Sequence, residues 1–354
     1  MKIVHIVGNR PQFIKLWALY EALSLQPNIQ QTIIHTGQHS SKEMSDVFFE
    51  ELNIPTPEYF LNIDNSNGPD IFIGNCSRQL QALFSELNAD IIFTYGDTNT
   101  TLGAAIAAKR TNTQLHHFEA GVRTNEVSMP EEINRIVTDR LANVNYCCTQ
   151  SNYQTLIAEG YSTAINSKAF LTGDLMFDAY KKAENLITIP NSDLNYDYIV
   201  ASIHRADNIQ NPIHLDEIIQ ALNIINKQVP VKMSLHPHTR KKLLESGIVA
   251  DFQLLEPLSY LKMHSLIKNA QSVITDSGGV SREAFFAKKK SLIIMSNPFW
   301  QEIIHANCSI NTSADTESIL SNFENVKKLQ PDFSPTIFGD GHAATNILKV
   351  ICDN

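Results

Sequence analysis

Glu119 stands directly after Gln114–Phe118, a run that looks like a buried strand, and just ahead of Gly121 and Arg123. A carboxylate there sits where a strand opens into a loop, which is where α/β sheets place ligands. Asp97 occupies the same kind of position after the run 90–95, with Gly96 between. A third carboxylate, Glu131, follows Pro130, a residue suited to the first position of a helix; Glu131 and Glu132 would lie near the positive end of its dipole. Glu131 and Arg135 are four residues apart, so they share one helix face and can pair or jointly meet a ligand. Carboxylates held near a bound phosphate can be tuned as general acids or bases, which makes Asp97, Glu119 and Glu131 the candidates for that work. Each also has a plain structural reading: a helix N-cap for Asp97, a loop brace for Glu119, an exposed ion pair for Glu131 and Arg135.

A second constellation suits an anion. Thr275-Asp-Ser-Gly-Gly-Val-Ser281 lies between a β-rich run and a helix expected over residues 281–287. Its glycines let the backbone approach a ligand at a helix N-terminus, so Ser277, Gly278 and Gly279 could hold a diphosphate. Glu283, two residues into the expected helix, could accept from ribose hydroxyls or simply favour the dipole. The loop is neither a Walker A sequence nor a Gly-x-Gly-x-x-Gly fingerprint, so nothing in it points to NTP hydrolysis or dinucleotide redox chemistry. Arg10 and Lys15 on the first helix, with His204 and Arg205 from the second half, could add positive charge. No metal is expected, because His35, His39, His116, His117, His236 and His238 form no His-Glu-x-x-His or compact ligand set.

Positioning these groups requires strands alternating with helices, and the sequence supplies them. Buried-strand runs at 2–7, 31–36, 90–95, 114–118 and 145–148 alternate with amphipathic runs at 11–23, 42–52, 69–87, 98–109 and 131–142. The pattern breaks around Leu171-Thr-Gly-Asp174, and a polar stretch at 190–197 precedes a second series of strands and helices. The expected architecture is α/β: two Rossmann-like domains with parallel sheets, joined near residue 173. Residues 1–172 would form the sugar-side domain and 173–338 the nucleotide-binding domain, with 339–354 a helix returning to the first. A length of 354 residues at 43% hydrophobic content suffices for two cores. The formal charge of −9 argues against nucleic-acid or acidic-membrane partners. Five cysteines without a Cys-x-x-Cys motif fit a reducing cytoplasm. No apolar run approaches the roughly 20 residues of a membrane span, and residues 1–7 lack the length of a signal segment.

With these residues placed, the chain resembles the non-hydrolysing UDP-N-acetylglucosamine 2-epimerases, which implies a GT-B-like fold, two Rossmann-like domains whose parallel sheets face one another across a central cleft. The matching motifs run in order: Gly8-Asn-Arg-Pro-Gln-Phe-Ile-Lys15, His35-Thr-Gly-Gln-His39, Tyr95-Gly-Asp-Thr-Asn-Thr-Thr101, His117-Phe-Glu-Ala-Gly-Val-Arg123, Met129-Pro-Glu-Glu-Ile-Asn-Arg135, Thr172-Gly173, His204-Arg-Ala-Asp-Asn208, Glu256-Pro-Leu258, Thr275-Asp-Ser-Gly-Gly279 with Glu283-Ala284, and Gly339-Asp-Gly341. The resemblance implies cofactor-independent inversion at C2 of a UDP-2-acetamido sugar, by elimination of UDP to a 2-acetamidoglucal and its re-addition. It makes Asp97, Glu119 and Glu131 the acid/base groups, and has His204 and Arg10 steady the diphosphate. Arg135 would orient Glu131 or the phosphate, Lys15 would support the site, and Ser277, Gly278, Gly279 and Glu283 would hold phosphates and ribose. It further implies a cytoplasmic homodimer making precursors of a bacterial surface polysaccharide.

The chain also departs from the family pattern. Gln12 stands where the commoner opening has Glu, Ala206 and Asp207 replace an Arg and a Glu, and Ser296-Asn-Pro-Phe-Trp-Gln-Glu302 stands in place of an Arg-Asp-Thr-Thr-Glu run. Ser40-Ser-Lys-Glu-Met44 is inserted after Gln38-His39, where other members bind an activating UDP-N-acetylglucosamine, so allosteric activation is not expected. The Gln12-Phe13-Ile14, Met129-Pro-Glu-Glu and Phe48-Phe49-Glu50 variants look closest to the branch acting on UDP-2,3-diacetamido-2,3-dideoxyglucuronic acid. Lys42, Arg123 or Arg205 would then face the substrate carboxylate. Two competing readings are a GT-B glycosyltransferase and a UDP-sugar-binding protein without activity.

Overall fold

The computed structural model describes residues 1–38, 48–64, 66, 68–187, 197–334 and 336–353. The chain forms two compact units, Met1–Lys182 with Thr336–Asn354, and Ala183–Pro335. Among the described residues the first unit holds a seven-stranded parallel sheet: β1 (Lys2–Val7), β2 (Gln30–His35), β3 (Tyr59–Phe60), β4 (Ile91–Tyr95), β5 (Gln114–Phe118), β6 (Val144–Cys147) and β7 (Lys168–Leu171), in the order β3-β2-β1-β4-β5-β6-β7. Residues 91–95 of β4 are buried throughout, as expected of a central parallel strand covered by helices on both faces. The order reverses between β1 and β4, and the loops leaving those strands and β5 carry Gly8, Gly96 and Glu119. Such a reversal is the switch point at which open α/β sheets bind ligands.

The second unit is built the same way from β8 (Ile199–Ser202), β9 (Val231–Ser234), β10 (Gln253–Leu255), β11 (Ser272–Thr275), β12 (Lys290–Ile294) and β13 (Ser309–Thr312), ordered β10-β9-β8-β11-β12-β13. Its reversal falls between β8 and β11, whose C-terminal ends lead to His204 and Asp276. The helix after β11 runs Gly278–Phe286, starting earlier than the expected 281–287, with Ser277 Oγ accepting from the Val280 N–H at 3.3 Å as N-cap. Glu283 is therefore in the second turn of that helix and not at its second residue.

Five helices among the described residues had no counterpart in the sequence reading: Gln150–Ala158, Leu175–Leu186, Ala206–Ile209, Gln301–His305 and Thr316–Lys328. The second of them bears on the unit boundary. The chain leaves the first unit after Lys182 rather than at Thr172-Gly173, because this helix begins on that unit. Lys182 lies 4.4 Å over the Trp17 ring and pairs with Glu21. The C-terminal helix Ala343–Asp353 is fastened to the same unit, with Asn346 donating to the Thr172 carbonyl at 3.1 Å and Asp178 accepting from the N–H groups of Ala343 (3.0 Å) and Ala344 (2.8 Å).

Burial pushes the Asp178 carboxyl up to about 6, against those two donors and with Asp174 adding repulsion. The folded chain therefore takes up this proton at a higher pH than the unfolded chain. The stability it contributes is complete below about pH 4 and is lost as pH rises through about 6. Over that window the wild type should lose up to roughly 1.4 kcal/mol per pH unit more than Asp178→Asn. Urea midpoints of both proteins from pH 4 to 7 check this; parallel curves would contradict it.

Candidate active site

In the first unit, four of the expected residues come together. Lys15, 3% exposed although charged, lies 2.7 Å from Glu119 Oε2, so its ammonium serves a carboxylate. Glu119 itself adopts φ +69°, a left-handed conformation unusual for a residue with a side chain. Such a conformation persists only where its surroundings over-determine it. Here Gly121 helps: a Cβ at that glycine would overlap the Asn152 carbonyl, so the turn after Glu119 can pack only as it does.

Asp97 is bonded to Arg135, and Asn134 donates to the Asp97 carbonyl at 2.9 Å, so the helix Pro130–Leu141 holds the Gly96-Asp97 loop twice. This corrects the expected Glu131–Arg135 pair. The Arg135 guanidinium turns inward to Asp97 and to Glu132, 3.3 Å away, and among the described residues Glu131 makes no hydrogen bond or ion pair. Burial opposes the charge on Arg135, but Asp97, Glu119 and Glu132 outweigh it and hold the guanidinium charged more firmly than usual. Glu132, fully buried, reaches back to accept from Thr124 N (3.0 Å) and Asn125 N (3.0 Å), which pins the loop ahead of the helix.

Beneath these loops lies a buried charge network that the sequence reading passed over. His117 is wholly buried, with Nδ1 2.7 Å from Asp139 and Nε2 2.7 Å from the Gly96 carbonyl. Both ring nitrogens are therefore engaged, one by a carboxylate and one by a carbonyl. Asp139 also accepts from Gly121 N (3.2 Å) and Arg123 (2.7 Å). Burial alone would raise the Asp139 carboxyl; His117 and Arg123 overcome it and hold it below the usual range. One imidazole thus ties the peptide before Asp97 to the turn after Glu119. Arg123, bonded to Asp139 and to Glu159 at 2.9 Å, has its donors engaged and does not fit as the expected partner of a substrate carboxylate.

A narrow hollow of about 10 Å³ lies beside Glu119, lined among others by Lys15, Tyr146, Cys148 and Asp174. That is room for about one water, far below the roughly 300 Å³ or more of a ligand pocket. Glu119, Cys148 and Asp174 bring ligand-type atoms within 4.8 Å of one another, a grouping the sequence reading did not foresee. Carrying the strand-end rule on to β6 and β7 would have found both Cys148 and Asp174. The cation of this cluster is the Lys15 ammonium.

Gln12, a departure from the family opening, is 1% exposed and closes four bonds. Its Oε1 accepts from Gly8 N at 2.7 Å, while Nε2 donates to the Tyr95 carbonyl (2.8 Å) and to the hydroxyls of Thr98 and Thr101 (3.1 Å each). An ionised Glu could not make the bond to Tyr95. Arg10 begins the first helix, with Cζ 5.5 Å from the Phe48 ring centroid. His39, Lys42 and the insertion 40–44 lie outside the described residues, as does most of the helix expected at 42–52.

In the second unit, the wholly buried Asp276 joins the ends of β8 and β11. It accepts from the N–H groups of His204 (3.0 Å) and Arg205 (2.9 Å) and from Asn208 Nδ2 (3.0 Å), and His204 Nδ1 is 3.6 Å away. Ser277, Gly278 and Gly279 follow at once and open the helix; Ser277 N–H donates to Thr275 Oγ1 at 3.0 Å and Val280 N–H to Ser277 Oγ, which leaves the Gly278 and Gly279 N–H groups without a partner within the helix. Glu283 is 6% exposed. Phe299 packs on Gly278, where a Cβ would lie 2.5 Å from the ring, and Trp300 Nε1 donates to the Gly278 carbonyl at 2.9 Å.

Comparison with known proteins now has a geometry to refer to. The family model for UDP-N-acetylglucosamine 2-epimerase matches residues 21–352. The chain belongs to the UDP-N-acetylglucosamine 2-epimerase family. Similar proteins include a UDP-N-acetylglucosamine 2-epimerase homolog of Methanococcus maripaludis, 36% identical with 99% of each chain covered. Another is the UDP-2,3-diacetamido-2,3-dideoxy-D-glucuronate 2-epimerase of Pseudomonas aeruginosa, 34% identical over 99% of each. The crystal structure of the Methanocaldococcus jannaschii UDP-GlcNAc 2-epimerase, in complex with UDP-GlcNAc and UDP, superposes with a TM-score of 0.92 at 30% identity, covering all of both chains. The GT-B-like class of two parallel-sheet domains therefore holds, and the enzymes of this family are isomerases. Among the described residues no helix is long and apolar enough to cross a membrane.

Proposed function

We propose that the protein is a non-hydrolysing 2-epimerase that interconverts UDP-N-acetylglucosamine and UDP-N-acetylmannosamine. The observation that carries this reading is the pairing of strand-end carboxylates with buried cations, Glu119 with Lys15 and Asp97 with Arg135, in a chain whose relatives are 2-epimerases. A base removes the C2 proton as the C1–oxygen bond breaks and UDP departs with the electron pair. A proton then reaches C2 of the 2-acetamidoglucal from the other face, and the UDP oxygen re-attacks C1. Asp97, Glu119 and Glu131 carry these protons. Arg135 orients Asp97 rather than Glu131, and Lys15 holds Glu119. Departing UDP needs its developing charge met by fixed donors. His204, Arg10, the Ser277 hydroxyl and the N–H groups of Gly278 and Gly279 fit that need, and Glu283 fits the ribose hydroxyls.

A second sugar has support of its own. The Pseudomonas relative is named for UDP-2,3-diacetamido-2,3-dideoxy-D-glucuronate, and its identity to this chain exceeds that of several relatives named for UDP-N-acetylglucosamine. With Arg123 engaged, Arg205 is the described residue left from the three that could meet a C6 carboxylate. Among the described residues the five cysteines form no disulfide, which fits a reducing cytoplasm. Ile133 (47% exposed) and Ile136 (38% exposed) on the Glu131 helix fit a homodimer contact. Surface-polysaccharide precursor synthesis is the matching role.

NMR of a panel of UDP-2-acetamido sugars after incubation tests the reading. Appearance of the C2 epimer from one of them without any acceptor is expected. UDP release only when an acceptor is added would favour a glycosyltransferase, and tight UDP binding without turnover would favour a binding protein.

A further inference from the structure

We propose that Gln12 is a positioning residue for the proton-transfer chemistry, one buried amide that registers the loop carrying Asp97 against the loop carrying Arg10; this rests on the 2-epimerase reading above. Gln12 lies in the first turn of the helix Arg10–Ser24 and is 1% exposed. Its Oε1 accepts from the N–H of Gly8, two residues before Arg10. Its Nε2 donates to the carbonyl of Tyr95, two residues before Asp97, and to the hydroxyl of Thr98, directly after it. Asp97 is thus bracketed along the chain by two atoms held on one nitrogen. β1 and β4 are neighbours at the reversal of the sheet, and the amide ties the two loops that leave them. The Gly8 end is seated closely as well, since a Cβ there would lie 2.4 Å from Thr36 Oγ1 and 2.5 Å from Thr100 Oγ1.

The direction of these bonds requires an uncharged group that accepts at one end and donates at the other. The Gly8 N–H can only donate and the Tyr95 carbonyl can only accept. Thr101 Oγ1 gives its one proton to that same carbonyl at 2.7 Å, so toward Gln12 it acts as an acceptor. A buried carboxylate, as in the commoner family opening, would accept from Gly8 but bring no proton to Tyr95 unless it took one up. Turning the Thr101 hydroxyl toward it would strip the Tyr95 carbonyl of a second donor. The charged and titratable groups around this point are engaged with other partners: Lys15 on the same helix with Glu119, Asp97 with Arg135, His117 on β5 with Asp139 and the Gly96 carbonyl, and His35 on β2 with the Gly37 N–H. An amide at position 12 therefore keeps the strand end before Asp97 in one geometry whatever the pH.

Steady-state epimerisation of UDP-N-acetylglucosamine and of the diacetamido-uronic sugar by the full-length protein tests this, with Gln12→Met and Gln12→Glu beside the wild type from about pH 6 to 9. Each rate is expressed per folded molecule, with the folded fraction read from the far-ultraviolet circular dichroism of the same sample. Gln12→Met keeps the length of the side chain without its polar atoms. It should lower kcat roughly tenfold or more, and raise KM by less than that, because most of the lost bonds lie on the Asp97 side. Gln12→Glu should stay nearer to the wild type at low pH, where a protonated carboxyl can accept from Gly8 and donate to Tyr95. Burial favours that neutral form, so the activity is present below the titration of the carboxyl and is lost as pH rises through it. The ratio of Gln12→Glu to wild-type kcat should therefore fall roughly fivefold or more across the range. If Gln12→Met does not fold, that ratio decides alone. Unchanged kcat per folded molecule in Gln12→Met, or a Gln12→Glu ratio that is flat with pH, would overturn the proposal and leave Gln12 a residue of the fold only. Wild-type protein that turns over neither sugar would instead sink the underlying function, whatever the variants do.

Discussion

Glu131→Gln should reduce turnover by roughly 10²-fold or more while shifting unfolding free energy by less than about 0.5 kcal/mol. The two halves of that expectation come from different facts. Proposed as an acid/base group, Glu131 loses its proton-transfer function on amidation. Yet its carboxylate makes no hydrogen bond or ion pair among the described residues, so the fold has little to lose. Glu119→Gln provides the internal contrast. It removes the negative charge 2.7 Å from a Lys15 ammonium that is 3% exposed, leaving a buried cation without its partner. That change should cost roughly 3 kcal/mol of stability along with the activity. Turnover from initial rates and stability from urea melts check both; an Glu131→Gln protein as unstable as Glu119→Gln would mean that Glu131 is a structural residue.

Asp139→Asn should be the most damaging substitution away from the reacting groups. Asp139 is wholly buried and holds His117, Arg123 and the Gly121 N–H together. Replacing it by an amide removes the charge that balances the buried Arg123 guanidinium, at a cost of roughly 3–5 kcal/mol. Arg123 keeps Glu159, but His117 loses the carboxylate that fixes its ring. Because His117 also bonds the Gly96 carbonyl, the loops bearing Asp97 and Glu119 lose their common anchor. Turnover should therefore fall in the folded fraction as well, with UDP affinity, whose proposed groups have no bond to the Asp139 network, little changed. Active-site titration separates the loss of folded protein from the loss of rate; wild-type turnover per folded molecule would show that the network serves stability alone.

Much of the scaffold was legible because buried parallel strands are apolar runs, and the glycines and polar residues after them mark sheet edges. Gly96-Asp97, Glu119 and Asp276-Ser-Gly-Gly279 were found that way. Pairing was not legible. Spacing along one helix favoured Glu131 with Arg135, whereas Arg135 is drawn to Asp97, distant in sequence, and to Glu132. Lys15 with Glu119 and His117 with Asp139 are likewise tertiary pairs for which sequence separation carries no signal. Paired glycines hid the start of the helix Gly278–Phe286, since glycine is a poor helix former. The reason for Gly278 lies elsewhere, in the Phe299 ring that leaves no room for a Cβ. The helix Leu175–Leu186 escaped notice although Leu175, Met176, Ala179, Tyr180 and Ala183 are buried at helical spacing, because its small alanines weaken the apolar stripe.

The central claim is that this chain breaks and remakes the C2–H bond of a UDP-2-acetamido sugar. Incubation in deuterium oxide followed by NMR of the recovered sugar nucleotide reads that event directly. Deuterium at C2 of both epimers from wild-type protein, and its absence with Glu131→Gln, is the predicted result. Full retention of the C2 proton by wild-type protein, with UDP-N-acetylglucosamine and with the diacetamido-uronic sugar alike, would contradict the account.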